Sequence, residues 1–339
     1  MRAVAYRVPG PVEGAQVLVD VDLPIPVPSA RDLLVEVRAI SVNPVDTKLR
    51  MTTPPSRSGW KVLGWDAAGV VVGAGADVTR FKVGDEVYYA GDITRPGANS
   101  EFHLVDERIV GRKPRSLDWA GAAALPLTTI TAWEALFDRL EVRRPVPGAS
   151  SILIIGAAGG VGSIAVQLAR QLTDLTVIGT ASRAETRAWI MDLGAHHVLD
   201  HSRSLSEEIA GLELEAPGFV LSTSHTAERL SQIVDLIAPP GRLALIDDPK
   251  SLDIVALKRK SLSVHWEAMF ARSTFQTADM ERQAELLDEV ARLMDAGTLR
   301  TTLSERFGPV TAANLTRAHA VIESGKARGK IVLEGFGEG

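Results

Sequence analysis

Cysteine is absent from all 339 residues. Its absence excludes disulfides, iron–sulfur clusters, thiolate zinc sites and a cysteine nucleophile, and it fits a reducing cytoplasm. An excess of basic charge is absent too. Thirty-seven Lys and Arg stand against 42 Asp and Glu, for a formal net charge of −5. That balance gives no footing for a nucleic-acid partner. No uninterrupted apolar stretch approaches the roughly 18 residues that cross a membrane. The opening Met1-Arg2-Ala3-Val4-Ala5-Tyr6 lacks a secretory apolar core. No Gly-x-Ser-x-Gly elbow occurs, which removes the hydrolases built on one.

What remains, 45% hydrophobic and 23% charged, is ordinary for a soluble globular protein, and the length predicts two domains. Residues 1 to about 125 read as mainly β. Segments 17–22 and 33–40 alternate apolar and polar side chains, and 70–72 and 86–89 read as further short strands. Turn signals separate them: Pro9-Gly10-Pro11, Gly73-Ala74-Gly75, Gly84-Asp85 and Pro96-Gly97. Short strands at that spacing predict a barrel or sandwich. The pattern then changes. Residues 119–125 are alanine-rich and 130–140 have helical periodicity. Strands at 151–155, 175–180, 197–200, 219–222, 242–246 and 261–266 alternate with helices at 184–193 and 227–237. About six parallel strands with helices between them predict an α/β, doubly wound sheet. Residues 279–296 form the longest amphipathic helix, and 330–334 a terminal strand that would return to the first domain.

The apolar run Ser151-Ile152-Leu153-Ile154-Ile155 leads into Gly156-Ala157-Ala158-Gly159-Gly160-Val161-Gly162, which opens a helix. Strand, glycine-rich turn and helix in that order cradle a pyrophosphate on backbone N–H groups at a positive helix end. Gly159, Gly160, Val161 and Gly162 would make those contacts. No Lys-Ser/Thr follows, so the turn is not a nucleoside-triphosphate loop. The next strand tip is Ile178-Gly179-Thr180-Ala181-Ser182-Arg183. An acid there would bind the free ribose hydroxyl of NAD; here Ser182 and Arg183 favour the 2′-phosphate of NADPH. The alternative for Arg183 is a solvated side chain after a strand.

Six motifs, the glycine turn among them, share one order and one resemblance. They are Asp32-Leu33-Leu34-Val35-Glu36-Val37, Ser41-Val42-Asn43-Pro44-Val45-Asp46, Val83-Gly84-Asp85-Glu86-Val87, Leu125-Pro126-Leu127-Thr128-Thr129-Ile130-Thr131-Ala132-Trp133, the glycine turn, and Gly329-Lys330-Ile331-Val332-Leu333. The chain resembles the medium-chain dehydrogenase/reductase superfamily over nearly its whole length. Within it, the resemblance is to the zinc-independent quinone-oxidoreductase branch and its bacterial zinc-type alcohol dehydrogenase-like group. The resemblance implies a GroES-like β-barrel domain, residues 1–125 plus about 300–339, with a Rossmann NADP-binding domain inserted at 126–299. It implies an active site in the cleft between them. It also implies a homodimer joined through the edge strand at 261–266.

Zinc members of the superfamily carry Cys-x-x-Asp and Gly-His-Glu. Here those stretches are Asn43-Pro44-Val45-Asp46 and Gly64-Trp65-Asp66. Asn43 is a poor ligand and Trp65 cannot ligate. The seven histidines show no metal-ligand spacing on one helix, so no metal is expected. Without a Lewis acid, alcohol oxidation loses its alkoxide stabiliser. A quinone or α,β-unsaturated carbonyl delocalises the developing charge and suits hydride from NADPH. By resemblance, Asn43 and Asp46 line the nicotinamide side, with a turn and a helix cap as their alternative roles. Thr131 would lie near the nicotinamide, Thr223 past the fourth strand close to the cofactor, and His201 near adenine or the 2′-phosphate; a helix hydroxyl bonding the preceding turn and a solvated loop histidine are the alternatives for Thr131 and His201. Trp65, Trp266, Met269 and Phe270 are candidate pocket walls. Neither Tyr88 nor Tyr89 is preferred as proton donor, and solvent would suffice. Acceptor specificity would rest on loops 48–62 and 266–280. A nicotinamide-dependent alcohol dehydrogenase and a non-catalytic NADPH-binding sensor remain the alternatives.

Overall fold

The computed structural model describes residues 1–12, 17–55, 59–212 and 214–337. Residues 56–58 of the expected specificity loop, and 338–339 of the tail, lie outside the described residues. The chain divides into two compact units, Met1–Leu127 with Phe270–Gly339, and Thr128–Met269.

The first unit begins with β1 (Arg2–Tyr6), β2 (Val19–Asp22), β3 (Asp32–Val42), α1 (Pro44–Thr52), β4 (Lys61–Val62), β5 (Ala67–Ala74), β6 (Glu86–Tyr89), β7 (Phe102–Asp106), β8 (Val110–Arg112) and α2 (Trp119–Ala123). β1 sits between β2 and β4 in a small antiparallel sheet. β3 is the spine of the larger sheet. Its first half alternates, with Leu33, Val35 and Val37 buried, as one face of a strand against a core demands. From Ala39 onward four successive residues are buried.

Next come α3 (Pro126–Trp133), continued as a π-helical turn Glu134–Arg139, and β9 (Ser151–Ile155), α4 (Gly160–Leu172), β10 (Thr176–Thr180), α5 (Ala184–Asp192), β11 (His197–Leu199), α6 (Leu205–Ala210), β12 (Phe219–Ser222), α7 (Thr226–Leu236), β13 (Arg242–Leu245) and β14 (Ser263–Trp266). The six strands are all parallel, in the order β11-β10-β9-β12-β13-β14. β9 and β12 are buried along their whole length, as expected of strands covered on both faces. The chain leaves β9 for β10 on one side and returns from β11 to β12 on the other. That switch opens a crevice at the carboxyl ends of β9 and β12, where α/β sheets bind ligands. The doubly wound sheet inserted in a GroES-like β scaffold is thus as expected.

The last segment returns to the first unit as α8 (Ala271–Thr274), α9 (Arg282–Asp295), β15 (Leu303–Arg306), α10 (Ala312–Glu323) and β16 (Lys330–Glu334). β16 runs antiparallel to β3, from Ile331 opposite Val42 to Glu334 opposite Ala39, and closes that edge of β3. The second unit ends at Met269, ahead of the expected boundary at residue 299. The reason is α9. Its apolar face carries Leu286, Leu287 and Val290, all buried. The Leu287 carbonyl accepts from the Tyr88 hydroxyl at 2.5 Å, and Asp288 accepts from the Arg112 N–H at 2.8 Å. Amphipathic periodicity identifies such a helix but not the surface it covers. No helix among the described residues is long and apolar enough to cross a membrane.

Gly111 marks how closely α9 lies on β8. A Cβ there would fall 2.5 Å from the Leu287 Cβ and 2.9 Å from Tyr88. Gly111→Ala should therefore cost about 1–3 kcal/mol, the usual range for overpacking. Urea unfolding measures this, and an unchanged stability would contradict the packing of α9 on β8.

Candidate functional site

In the second unit, the turn after β9 is held from two sides. Thr180 accepts the Gly156 N–H at 3.0 Å, and the Thr223 hydroxyl donates to the Ile155 carbonyl at 2.9 Å. Gly156 has φ +75°, and a Cβ there would meet the Thr223 hydroxyl at 2.2 Å. A Cβ at Gly162 would fall 2.4 Å from the Gly156 carbonyl oxygen. Both positions therefore exclude any side chain. Gly159 is the N-cap of α4, and no side chain caps that end. The N–H groups of Gly160, Val161 and Gly162 have no partner inside the helix. α7, which also begins at the crevice, is different: Asp247 accepts its Thr226 N–H at 2.8 Å. The α4 end is the one shaped for a pyrophosphate, and the residues fit a dinucleotide.

At the tip of β10, Ser182 and Arg183 are exposed. Arg183 pairs with Glu185 at 3.1 Å across the surface. Such a surface pair is weak. His201 lies beyond β11, beside this tip. Burial, Arg229 and His225 hold its imidazole below the usual range, against Asp200. Thr131 is buried in α3. Trp266 is 54% exposed on β14, whereas Met269 is buried.

In the first unit, Asn43, Asp46, Trp65 and the unanticipated Asp66 and Lys330 come together. All five are buried. Asn43 caps α1, and its N–H donates to Asp46 at 2.6 Å; Asp46 also accepts the Gly64 N–H at 3.2 Å. The Asn43 side-chain amide donates to Asp66 at 2.7 Å. The Lys330 ammonium lies 3.0 Å from Asp66 and 3.1 Å from the Val42 carbonyl, and donates to the Asn43 side-chain oxygen. Its three N–H donors are thereby all satisfied. The second Asp66 oxygen accepts the Leu127 N–H at 2.7 Å. Burial raises the Asp66 carboxyl, opposed chiefly by Lys330. Burial also raises Asp46, to about 7, opposed by the Asn43 N–H and Lys330.

Trp65 donates its indole N–H to the Asp92 carbonyl at 3.0 Å and meets Phe270 edge-on, with ring centroids 6.4 Å apart. Two of the candidate walls are thus neighbours. Tyr88 and Tyr89 are both buried. Tyr89 faces His103 Nδ1 at 3.1 Å, while His103 Nε2 faces the Pro96 carbonyl at 2.9 Å. A carbonyl only accepts, so Nε2 carries the hydrogen and the Tyr89 hydroxyl donates to Nδ1. Neither tyrosine presents a hydroxyl to solvent. Among the described residues no group of His, Asp and Glu could hold a metal ion.

Two families match the chain: the alcohol dehydrogenase GroES-like domain over residues 29–122, and zinc-binding dehydrogenase over residues 193–333. A zinc-type alcohol dehydrogenase-like protein of Staphylococcus aureus is 37% identical, covering 98% of this chain and 99% of its own. A structure from Rhizobium etli CFN 42, which carries a zinc-dependent alcohol dehydrogenase name, is 62% identical with TM-score 0.97, over 100% and 99% of the two chains. A quinone oxidoreductase of Pseudomonas syringae is 26% identical with TM-score 0.82, over 98% and 99%. A mycobacterial protein complexed with NADPH is 26% identical with TM-score 0.82, over 98% and 100%.

The buried cluster makes two predictions. Lys330→Met strands Asp66 without its cation and should cost about 3–5 kcal/mol; adding Asp66→Asn should recover part of that. Urea unfolding of both variants checks it, and additive losses would contradict the pairing. The second concerns pH. The Asp46 carboxyl holds its proton more tightly when folded, at about 7 against the ordinary 3.8. Its contribution to stability is full below the lower value and lost as pH rises through the higher one. Wild-type stability should fall across that window more than that of Asp46→Asn. Parallel thermal-unfolding curves would contradict the burial argument.

Proposed function

The chain belongs to the medium-chain dehydrogenase/reductase superfamily and is a nicotinamide-dependent oxidoreductase, and from that premise we propose that it reduces quinones or α,β-unsaturated carbonyls with NADPH and without a catalytic metal. One observation carries the reading. The positions that hold cysteine and histidine ligands in zinc members are Asn43 and Trp65, and both direct their polar atoms into the protein. Asn43 already serves a buried ammonium, and an indole N–H cannot ligate. The names of the zinc-linked relatives therefore do not carry over to this ligand set.

Bound NADPH supplies two electrons and a proton as hydride. The protein binds and orients it. The N–H groups of Gly160, Val161 and Gly162 hold the pyrophosphate, with Gly159 keeping the approach open. Ser182 and Arg183 meet the 2′-phosphate, which an acid at that tip would repel. Thr180 and Thr223 set the shape of the turn, and Thr131 is assigned to the nicotinamide end. In the other unit, Lys330 and Asp66 fix Asn43, and Asp46 fixes the start of α1, so these groups position rather than exchange protons. Phe270, braced edge-on by the buried Trp65, would present an apolar wall to a flat, conjugated acceptor. With both tyrosine hydroxyls committed inside, the product takes its proton from water. Two copies would join along the free edge of β14, where Trp266 is exposed, in the cytoplasm.

Purified protein mixed with NADPH or NADH and a panel of quinones, enals, ketones and alcohols, with and without chelator, tests this at the nicotinamide absorbance band. NADPH should be oxidised by quinones or enals regardless of chelator. Metal-stimulated alcohol turnover would point instead to a dehydrogenase, and saturable NADPH binding without turnover to a sensor. Arg183→Ala should weaken NADPH by about fivefold, since the lost contact is exposed, and leave NADH nearly unchanged. Equal loss for both cofactors would remove Arg183 from the site.

A further inference from the structure

The tip shared by β10 and β11 carries a cation that the assignment of Ser182 and Arg183 leaves unused. The Ala181 N–H donates to the Leu199 carbonyl at 3.0 Å, so the segments leaving the two strands start side by side. Four arginines surround that start. Arg183 pairs with Glu185 at 3.1 Å, and Arg203 with Glu208 at 3.4 Å. Arg187 donates from its two terminal nitrogens to the Ala181 and Val198 carbonyls, at 3.3 and 3.1 Å, and so ties the strand ends together. Arg229 differs from all three. It comes from the first turn of α7, and its Nη1 donates to the His201 carbonyl at 3.0 Å. Among the described residues no carboxylate pairs with it. Asp200, an acid on the same tip, is turned onto the Ser202 N–H and hydroxyl, at 2.9 and 2.7 Å.

We propose that Arg229 is the second arm of the adenosine 2′-phosphate site, anchored by the His201 carbonyl and closing from the α7 side on a phosphate that Ser182 and Arg183 meet from the β10 side. The proposal rests on the NADPH reading above. A guanidinium presents five N–H donors in a rigid fork. The carbonyl fixes one of them, which orients the plane at little entropic cost and leaves the others for phosphate oxygens. The remaining arginines at this tip are already matched by a carboxylate or by two carbonyls. A phosphate dianion would draw most on the one cation that is matched by neither. The sequence hides this role, because Arg229 is 46 residues from Arg183 (229 − 183) and lies in an ordinary amphipathic helix.

Calorimetric titration of the full-length protein with 2′,5′-ADP and with 5′-AMP separates the outcomes without requiring turnover. Wild type should prefer 2′,5′-ADP; no preference would overturn the NADPH reading and this inference with it. Given that preference, Arg229→Gln should lower 2′,5′-ADP affinity by about tenfold and change 5′-AMP less than twofold, as expected for one charge-assisted contact. An unchanged ratio, or an equal loss for both ligands, overturns the role of Arg229 alone. If Arg229→Gln does not fold, Arg229→Lys decides. It keeps the charge but not the fork, and should cost about threefold for 2′,5′-ADP only; no change would overturn the proposal.

Discussion

A buried ammonium organises the first unit. Lys330 is removed from water, and removing such a charge is tolerable only if every donor finds an acceptor and a counter-charge is close. The acceptors come from three places: the end of β3, the cap of α1 and the start of β5. β16 brings the lysine to them. Asp66 then passes the constraint onward by accepting the Leu127 N–H at the start of α3. One cation therefore fixes where a strand ends, where two helices begin and how Asn43 points. The relation to chemistry is indirect but firm. Asn43, at the position the resemblance matches to a metal ligand, is here held by Lys330 and Asp66.

The second unit solves an opposite problem. Its central strands, β9 and β12, are buried along their whole length, and the turns at their carboxyl ends are kept open rather than closed. α7 is capped by Asp247, whereas α4 begins at bare glycine. Two threonines hold the turn from behind, so it stays fixed without side chains in front of it. A rigid turn whose N–H groups face outward is preorganised for an anion.

Local elements with a strong pattern could be read from the sequence. The strands Phe219–Ser222 and Lys330–Glu334 fall on the expected bounds, because apolar runs between breakers leave little choice. α1 was not legible. Its buried residues are Asp46, Thr47 and Arg50, so no apolar stripe reveals it. Its start signals, Pro44 at N1 and Asp46 at N3, read equally as a turn. The glycine turn and the β10 tip were visible because their residues are consecutive. The Lys330 cluster was not, since its members lie 264 and 287 residues apart in sequence. The reach of α9 failed for the same reason: periodicity gives a helix its buried face but not its partner.

The position of β16 has a consequence for how the protein is made. The ribosome delivers residues 1–127 well before the strand that pairs with β3 and carries Lys330, which follows Asp66 by 264 residues. During synthesis Asp66 has no cation, and the outer half of β3 is an open edge that invites pairing with other chains. The second unit, continuous from Thr128 to Met269, suffers no such delay and can close while the chain is still growing. The order of completion thus runs against the order of translation, and a chain stopped before β16 would leave the first unit unfinished while the second stands complete.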